Sequence, residues 1–575
     1  MAAKASKASI ADRLMARIAA AHAQRVYGRF LAATAKAAKV QEQVLLEKIR
    51  RNANSDFGRD FRFDQIRSVD DFRRRVPIMS YEEHRPYIER VKAGHTQAMF
   101  GGRQRVRMFA LTSGTSDQPK FIPVTDAFLD EYKAGWNAWG IKALLDHPAA
   151  ILRNIAQVSS RMDESRTATG IACGAITGLM ASTQKRLVRK YYVTPGFLAE
   201  IDDPAAKYYT IMRLAMVRDV AFVTAASPAT QLRLARTGVE HAESLIRDIA
   251  DGTLRADLSV PASVRERLRP ILAANATHTA VARRLESLLA EHGRLLPRHY
   301  WNLSLLANWT GGTMSLYLRD FPEYFGDVPV RDVGLLASEG RMSIPIEDGT
   351  PAGVLDVPGQ FFEFMPTDQR DAITQETYLC HQLEVGQEYF ILLTTSSGLY
   401  RYDIGDLVRV VGYLGETPII EFLNKGQHIS SLSGEKLTEH QVILAMQRAS
   451  QAIGLHVANF ILAPRWADPP GYVLHVERTI SPAMKTDDTL NPLNQLADEL
   501  DRQLYEINVE YASKRQSHRL GPVALNILAA GTLDAFDRRC ASRHRKSNEQ
   551  YKHRYLYCRP GEDAELLNAT IACPQ

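Results

Sequence analysis

Residues 106–125 read VRMFALTSGTSDQPKFIPVT, and this stretch sets the fold class. Val106 to Leu111 has the apolar, β-forming character of a buried strand, and Phe121 to Val124 resumes it. Between them, Thr112-Ser113-Gly114-Thr115-Ser116-Asp117-Gln118-Pro119-Lys120 is a polar turn. Small hydroxyl residues around a glycine let backbone amides and hydroxyls approach a polyphosphate, and Lys120 adds a point charge. The G-x-x-x-x-G-K-[ST] spacing is absent and a strand follows, so this is no Walker loop. Taken alone, the segment reads more readily as a plain polar hairpin turn, and it gains meaning from its partners downstream.

Working outward, Thr125 is placed to cap a long amphipathic helix with Phe128, Leu129, Tyr132, Trp136 and Trp139 inward. Upstream, helices carry Val44, Leu45 and Ile49, then Tyr87, Ile88 and Val91, on apolar faces. Downstream, strands are expected at 221–224, 303–309 and 330–336, and a helix from Ser227-Pro228 to Gly252. From Gln360 the pattern is β-rich, with strands at 361–364, 389–394, 407–411 and 419–423. A second unit is expected from about residue 426, with helices at 438–450 and 493–511, strands at 458–462, 471–476 and 523–528, and a basic terminal helix. The fold class is therefore α/β, with a large domain over residues 1–425 and a small α+β domain over 426–575. At 575 residues the chain exceeds what one core supports, about 250–300 residues.

Composition excludes several functions. Charged residues are 24% and the net charge is only +6, too little for a dedicated nucleic-acid binder. No apolar run approaches the ~20 residues of a membrane span. The five cysteines are odd in number and never spaced C-x-x-C, so neither a disulfide framework nor a zinc site follows. The basic, Ala- and Ser-rich N-terminus could be a transit segment. Ile10, Leu14, Ile18 and Ala21 at helical spacing favour a surface helix and a cytoplasmic location.

Two further segments carry chemistry. Arg401-Tyr402-Asp403-Ile404-Gly405-Asp406 lies between β-like stretches, where Asp406 could accept bonds from two ribose hydroxyls. Ala337-Ser338-Glu339 closes a strand, and a carboxylate there suits Mg²⁺ held together with substrate phosphates. Each of the three motifs is expected at a strand end. In that order and spacing they resemble the acyl-acid-amido synthetases, the auxin-responsive Gretchen Hagen family within the adenylate-forming superfamily. The resemblance extends to Trp309-Thr310-Gly311-Gly312, to the stretch ending at Lys436, and to Gln550-Tyr551-Lys552.

The resemblance implies a large adenylate-forming domain and a small mobile C-terminal one. It implies that Ser113, Gly114, Thr115, Ser116 and Lys120 contact the ATP phosphates, that Ser338 and Glu339 border them with Glu339 on Mg²⁺, and that Tyr402 and Asp406 hold the ribose side. Gly311 and Gly312 would let an adenine or acyl group close to the backbone. Lys436 and Lys552 would be the catalytic cations, brought in by the small domain. The implied reaction activates a small carboxylic acid with ATP and passes the acyl group to an amine, here an amino acid, releasing AMP and pyrophosphate. A thioester-forming ligase shares the first step but usually has a lysine-glycine-rich ending, which this chain lacks. A non-catalytic nucleotide-binding descendant stays open because Asp117-Gln118 stands where the family loop has a second glycine.

Overall fold

The computed structural model describes residues 23–569 apart from 103, 113–119, 159–160, 184–185, 274–275, 371, 373–374, 426–428, 434, 436, 458, 479–489, 517–518 and 544–552. The chain divides into two compact units. The first takes the chain up to Thr310, Asp320–Ile404 and Val408–Phe422; the second takes Gly311–Arg319, Gly405–Leu407 and the chain from Leu423 onward.

Strands of the described chain up to Lys425 are, in order, β1 Val106–Thr112, β2 Lys120–Thr125, β3 Asn154–Gln157, β4 Ser165–Arg166, β5 Ala172–Gly174, β6 Val220–Thr224, β7 Leu305–Asn308, β8 Val330–Asp332, β9 Ser343–Ile344, β10 Gly353–Leu355, β11 Phe361–Pro366, β12 Glu388–Thr394, β13 Tyr402–Leu414 and β14 Thr417–Lys425. They form three sheets, ordered β2-β1-β5-β4, β11-β12-β13-β14-β10-β9 and β3-β6-β7-β8. The last is wholly parallel, and β6 and β7 accordingly read as continuous apolar runs. The main core joins Met108, Phe109, Ile122 and Val124 of the first sheet to Phe362, Phe364, Ile391, Leu393, Val408 and Val410 of the second. Each such side chain contributes roughly 1.5–3 kcal/mol on burial.

Helix Asp126–Asp146 starts where the sequence sets it. Thr125 Oγ1 accepts the Phe128 N–H at 3.1 Å and donates to the Ser396 carbonyl at 2.9 Å, so one hydroxyl caps the helix and ties it to the end of β12. Ser227 caps the helix Pro228–Glu240 likewise. The single helix expected through Gly252 is instead two, because the chain leaves helical geometry at His241 before Ala242–Asp251 ends in left-handed Gly252. Among the described residues no helix is long and apolar enough to cross a membrane.

The second unit contains β15 Ile429–Ser430 paired with β16 Leu437–Thr438, and a sheet ordered β17-β18-β19 from Phe460–Arg465, Gly471–Glu477 and Ala524–Leu528. A capping box between Thr438 and Gln441 opens helix Glu439–Ile453, and left-handed Gly454 closes it. The expected 493–511 helix is broken into Leu490–Ile507 and Val509–Gln516, with Asn508 Oδ1 accepting the Tyr511 N–H at 2.9 Å to start the second piece. Val442, Met446, Phe460, Leu474, Leu496 and Leu500 are among the residues of this unit's core.

Candidate functional site

The turn between β1 and β2 is held at its base by the antiparallel pairs Leu111 with Phe121 and Thr112 with Lys120. Ser113, Gly114, Thr115 and Ser116, read as the phosphate loop, lie outside the described residues. Lys120, at the loop's exit, is described. Its Nζ donates to the Tyr402 hydroxyl at 3.3 Å and stands 5.5 Å from the Tyr81 ring centroid and 5.9 Å from that of Tyr402. The Tyr81 hydroxyl accepts the Phe121 N–H at 2.8 Å, and burial raises that phenol to about 12, which keeps it neutral. Two phenol rings therefore flank a cation at the mouth of the loop.

Tyr402 is fixed from behind. Met79 N–H donates to the Arg401 carbonyl at 3.0 Å and Asp403 N–H to the Met79 carbonyl at 2.9 Å. Arg401 has φ 45°, left-handed for a non-glycine residue. Its buried guanidinium donates from Nε to Glu363 Oε2 at 2.9 Å, from Nη2 to Glu363 Oε1 at 3.1 Å and from Nη1 to the Val76 carbonyl at 2.9 Å. Arg401 is thus an anchor that holds the neighbouring Tyr402 in place.

The turn bearing Ser338 and Glu339 comes to the last residues of β1. Ser338 Oγ is 3.5 Å from the Leu111 carbonyl oxygen, two residues before Ser113. Ala337 and Gly340 exchange backbone bonds at 2.8 and 3.2 Å, and Glu339 at their apex is buried; burial raises the Tyr132 phenol, and the Glu339 charge adds to that rise. A single carboxylate of this kind suits a Mg²⁺ that keeps several waters and takes phosphate oxygens. Among the described residues no group of three or more His, Cys, Asp or Glu could hold a metal ion without such oxygens.

Asp332, which the sequence reading missed, ends β8 and organises this edge. It accepts the Thr310 N–H at 2.5 Å, the Thr310 hydroxyl at 2.6 Å and the Gly334 N–H at 2.5 Å. One carboxylate thereby fixes both the residue before Gly311-Gly312 and the start of the segment leading to Glu339. Burial pushes its pKa up to about 6 against the pull of these bonds. The edge it organises is the C-terminal end of parallel strands, where open α/β sheets bind ligands.

Further charges are buried beneath. The Arg341 guanidinium lies 4.6 Å from the Trp136 ring centroid and donates from Nη2 to the Val333 carbonyl at 2.6 Å. It also attracts Asp356, which burial raises to about 7. Lys48 Nζ donates to Glu131 Oε1 at 2.7 Å, Ser396 Oγ at 2.9 Å and the Gly359 carbonyl at 3.1 Å, while burial lowers its pKa. Lys48 shares its buried helix face with Gln41 and Asn52 as well as Leu45 and Ile49, so no apolar stripe in the sequence singles it out.

Two expectations need correction. Residues 402–406 do not lie between strands: Tyr402 begins β13 and Asp406 is inside it, not at its end. Gly405, φ 77°, admits a left-handed residue within the strand, which is why Asp-Ile-Gly-Asp reads as a turn. Asp406 is 3% exposed. Asp406, buried Gly311 and Gly312 at the start of the 3-10 segment Gly312–Asp320 belong to the second unit. Lys436 and Lys552 lie outside the described residues. Within the first unit, Lys120 and Tyr402 meet directly, and Ser338 reaches Leu111 near the end of β1.

Family models described as the GH3 family N-terminal, central and C-terminal domains match residues 26–330, 353–425 and 440–559. The chain is similar to jasmonoyl–L-amino acid synthetase JAR6 of Nicotiana attenuata, with 25% identity covering 89% of each chain. It is also similar to the indole-3-acetic acid-amido synthetase GH3.8 of Oryza sativa subsp. indica, with 26% identity covering 89% of this chain and 87% of that one. Among solved structures, the AtGH3.15 acyl acid amido synthetase in complex with 2,4-DB shares the fold, with a TM-score of 0.82, 20% identity, and coverage of 96% and 97%.

Proposed function

The chain belongs to the GH3 family, and from that premise we propose that it is an ATP-dependent ligase, an acyl-acid amido synthetase that joins a small carboxylic acid to an amino acid. The relatives named for jasmonate and indole-3-acetic acid support a carboxylic acid and an amino acid as substrates. The observation that carries the reading is the meeting of Lys120 with Tyr402 at the mouth of the β1–β2 loop, 3.3 Å apart across 282 residues of sequence.

In the first step the substrate carboxylate oxygen attacks the α-phosphorus of ATP, and the bond to the bridging oxygen of pyrophosphate breaks. In the second the amine nitrogen attacks the acyl carbon, the bond to AMP breaks and the nitrogen loses its proton. Charge grows on phosphate oxygens in the first step, so cations and amide donors stabilise it without a nucleophilic side chain. Lys120 supplies fixed positive charge beside Ser113, Gly114, Thr115 and Ser116, whose amides and hydroxyls cradle the phosphates. Asp406 accepts from the ribose hydroxyls. Gly311 and Gly312, after Asp332-held Thr310, give flat backbone for the base or acyl group. Ser338 and Glu339 face the phosphates, and Glu339 would hold Mg²⁺, which neutralises phosphate charge when bound. Lys436 and Lys552 are the cations of a mobile domain, residues 426–575, against a nucleotide-binding domain, residues 1–425. The cytoplasm, where thiols stay reduced, is the proposed location.

Pyrophosphate release is measured with a panel of carboxylic acids, with and without amino acids and magnesium. Release that depends on one acid, with amide product, is the expected result. If Lys436→Ala and Lys552→Ala both leave release untouched, their catalytic assignment fails. Coenzyme A consumption in place of amide formation would establish a thioester-forming enzyme instead, and nucleotide binding without release a non-catalytic one.

A further inference from the structure

The last turns of helix Glu439–Ile453, in the second unit, border a cleft of about 560 Å³. Arg319, Arg448 and His456 line it together with Gln447 and Ser450, and no Asp or Glu does. Neither Arg319 nor Arg448 has a carboxylate partner among the described residues. Cations near a helix C-terminus ordinarily answer its free carbonyls. Here the backbone answers two of them: left-handed Gly454 donates its N–H to the Gln451 and Ser450 carbonyls, and Leu455 N–H reaches the Ser450 carbonyl at 3.0 Å. The guanidiniums remain available for something else. Ser450 is 4% exposed, yet its hydroxyl finds no partner among the described residues. A buried hydroxyl without a partner is destabilising unless another group completes its bonding.

We infer that this cleft binds the phosphate group of a small phosphorylated molecule, a site separate from the residues assigned to adenylation. Two guanidinium forks match the several oxygens of a phosphate dianion in a way an isolated lysine cannot. The Ser450 hydroxyl donates to a further oxygen. Leu444 and Leu455, also in the lining, give that remainder an apolar wall. The volume is in the range of small-molecule sites, roughly 300–1,000 Å³.

The full-length protein is titrated calorimetrically with inorganic phosphate and with glycerol 3-phosphate, in the presence of a saturating non-hydrolysable ATP analogue that fills the nucleotide site. Saturable one-to-one binding is expected, tighter for glycerol 3-phosphate and weakened by salt. Arg319→Glu and Arg448→Glu each weaken it by about tenfold or more, and Ser450→Ala by about threefold, while analogue binding and pyrophosphate release are unchanged. Where a charge reversal also loses the analogue, Arg448→Gln replaces it. No saturable heat from either probe, or an affinity unchanged in both arginine variants, overturns the inference. Binding of inorganic phosphate alone reduces the cleft to an ion site and overturns it equally. Because the analogue is measured in the same cell, a failed nucleotide assignment is distinguishable from a failed phosphate cleft.

Discussion

Replacing Asp332 with Asn removes one titrating group and leaves its shape. In the folded chain burial raises this carboxyl from 3.8 to about 6. A group with a raised folded pKa contributes stability that is fully present below about pH 4 and is lost as pH rises through about 6. A shift of about two units at 1.36 kcal/mol per unit amounts to about 3 kcal/mol. Asp332→Asn has no such dependence. The unfolding free energy of the wild type, measured against that of the variant, should therefore fall by about 3 kcal/mol between pH 4 and pH 7. Urea unfolding followed by tryptophan fluorescence reads it, with Trp136, Trp139, Trp301 and Trp309 reporting on the first unit. A difference flat across that interval would refute the burial of an ionisable Asp332. The variant also presents an amide N–H toward the Thr310 or Gly334 donors, so pyrophosphate release should drop about tenfold through loosened Gly311-Gly312.

Removing the Arg401 guanidinium with Arg401→Met should cost about 1.5–3 kcal/mol, read as a lower urea midpoint, because buried Glu363 loses two charge-assisted bonds while keeping Arg73 Nε at 3.0 Å and the Thr377 hydroxyl at 2.7 Å. A Cβ on Gly135 would sit 2.6 Å from Arg341 Cδ and 2.7 Å from Asp356 Oδ2, so Gly135→Ala should destabilise by about 1–3 kcal/mol despite its helix propensity. Gly140 in the same helix has nothing within 4 Å of such a Cβ, and Gly140→Ala should stabilise by up to about 1 kcal/mol in the same urea assay. Lys120→Met should lower pyrophosphate release about 10²-fold, whereas Tyr402→Phe, which keeps the ring and loses only the 3.3 Å bond, should lower it by less than about tenfold.

Signals confined to a few neighbouring residues were legible in the sequence. Thr125 and Ser227 as caps, Gly252 and Gly454 as helix ends, and the strand–turn–strand around Ser113 depend on backbone chemistry within one turn. The breaks at His241 and Asn508 were not legible, because the apolar period runs on through both positions. Nor was the full length of β13: Asp403 and Gly405 favour a turn locally, and the chain extends there because Met79, far away in sequence, pairs with that backbone. Of the candidate site, Lys120 and Glu339 could be named because their types suit phosphate and Mg²⁺ chemistry, and Ser338 and Tyr402 only through the family resemblance. Asp332, Arg341 and Asp356 could not, since a buried carboxylate or guanidinium looks like any surface charge until its partners are known.

The stitching of the N-terminal helices to far downstream chain bears on how the molecule is made. Gln41 Nε2 donates to the Val357 and Gln360 carbonyls, and Arg401 reaches back 325 residues to Val76. At roughly 5–20 residues per second of synthesis, the first helices wait about 15–65 seconds on the ribosome before the segment that seats them emerges. Throughout that interval the cluster of Leu45, Ile49, Phe57, Phe63 and Phe72 lacks Phe361 and Tyr400, so the N-terminal helices finish their core late, and a truncation before residue 400 leaves that core without Tyr400.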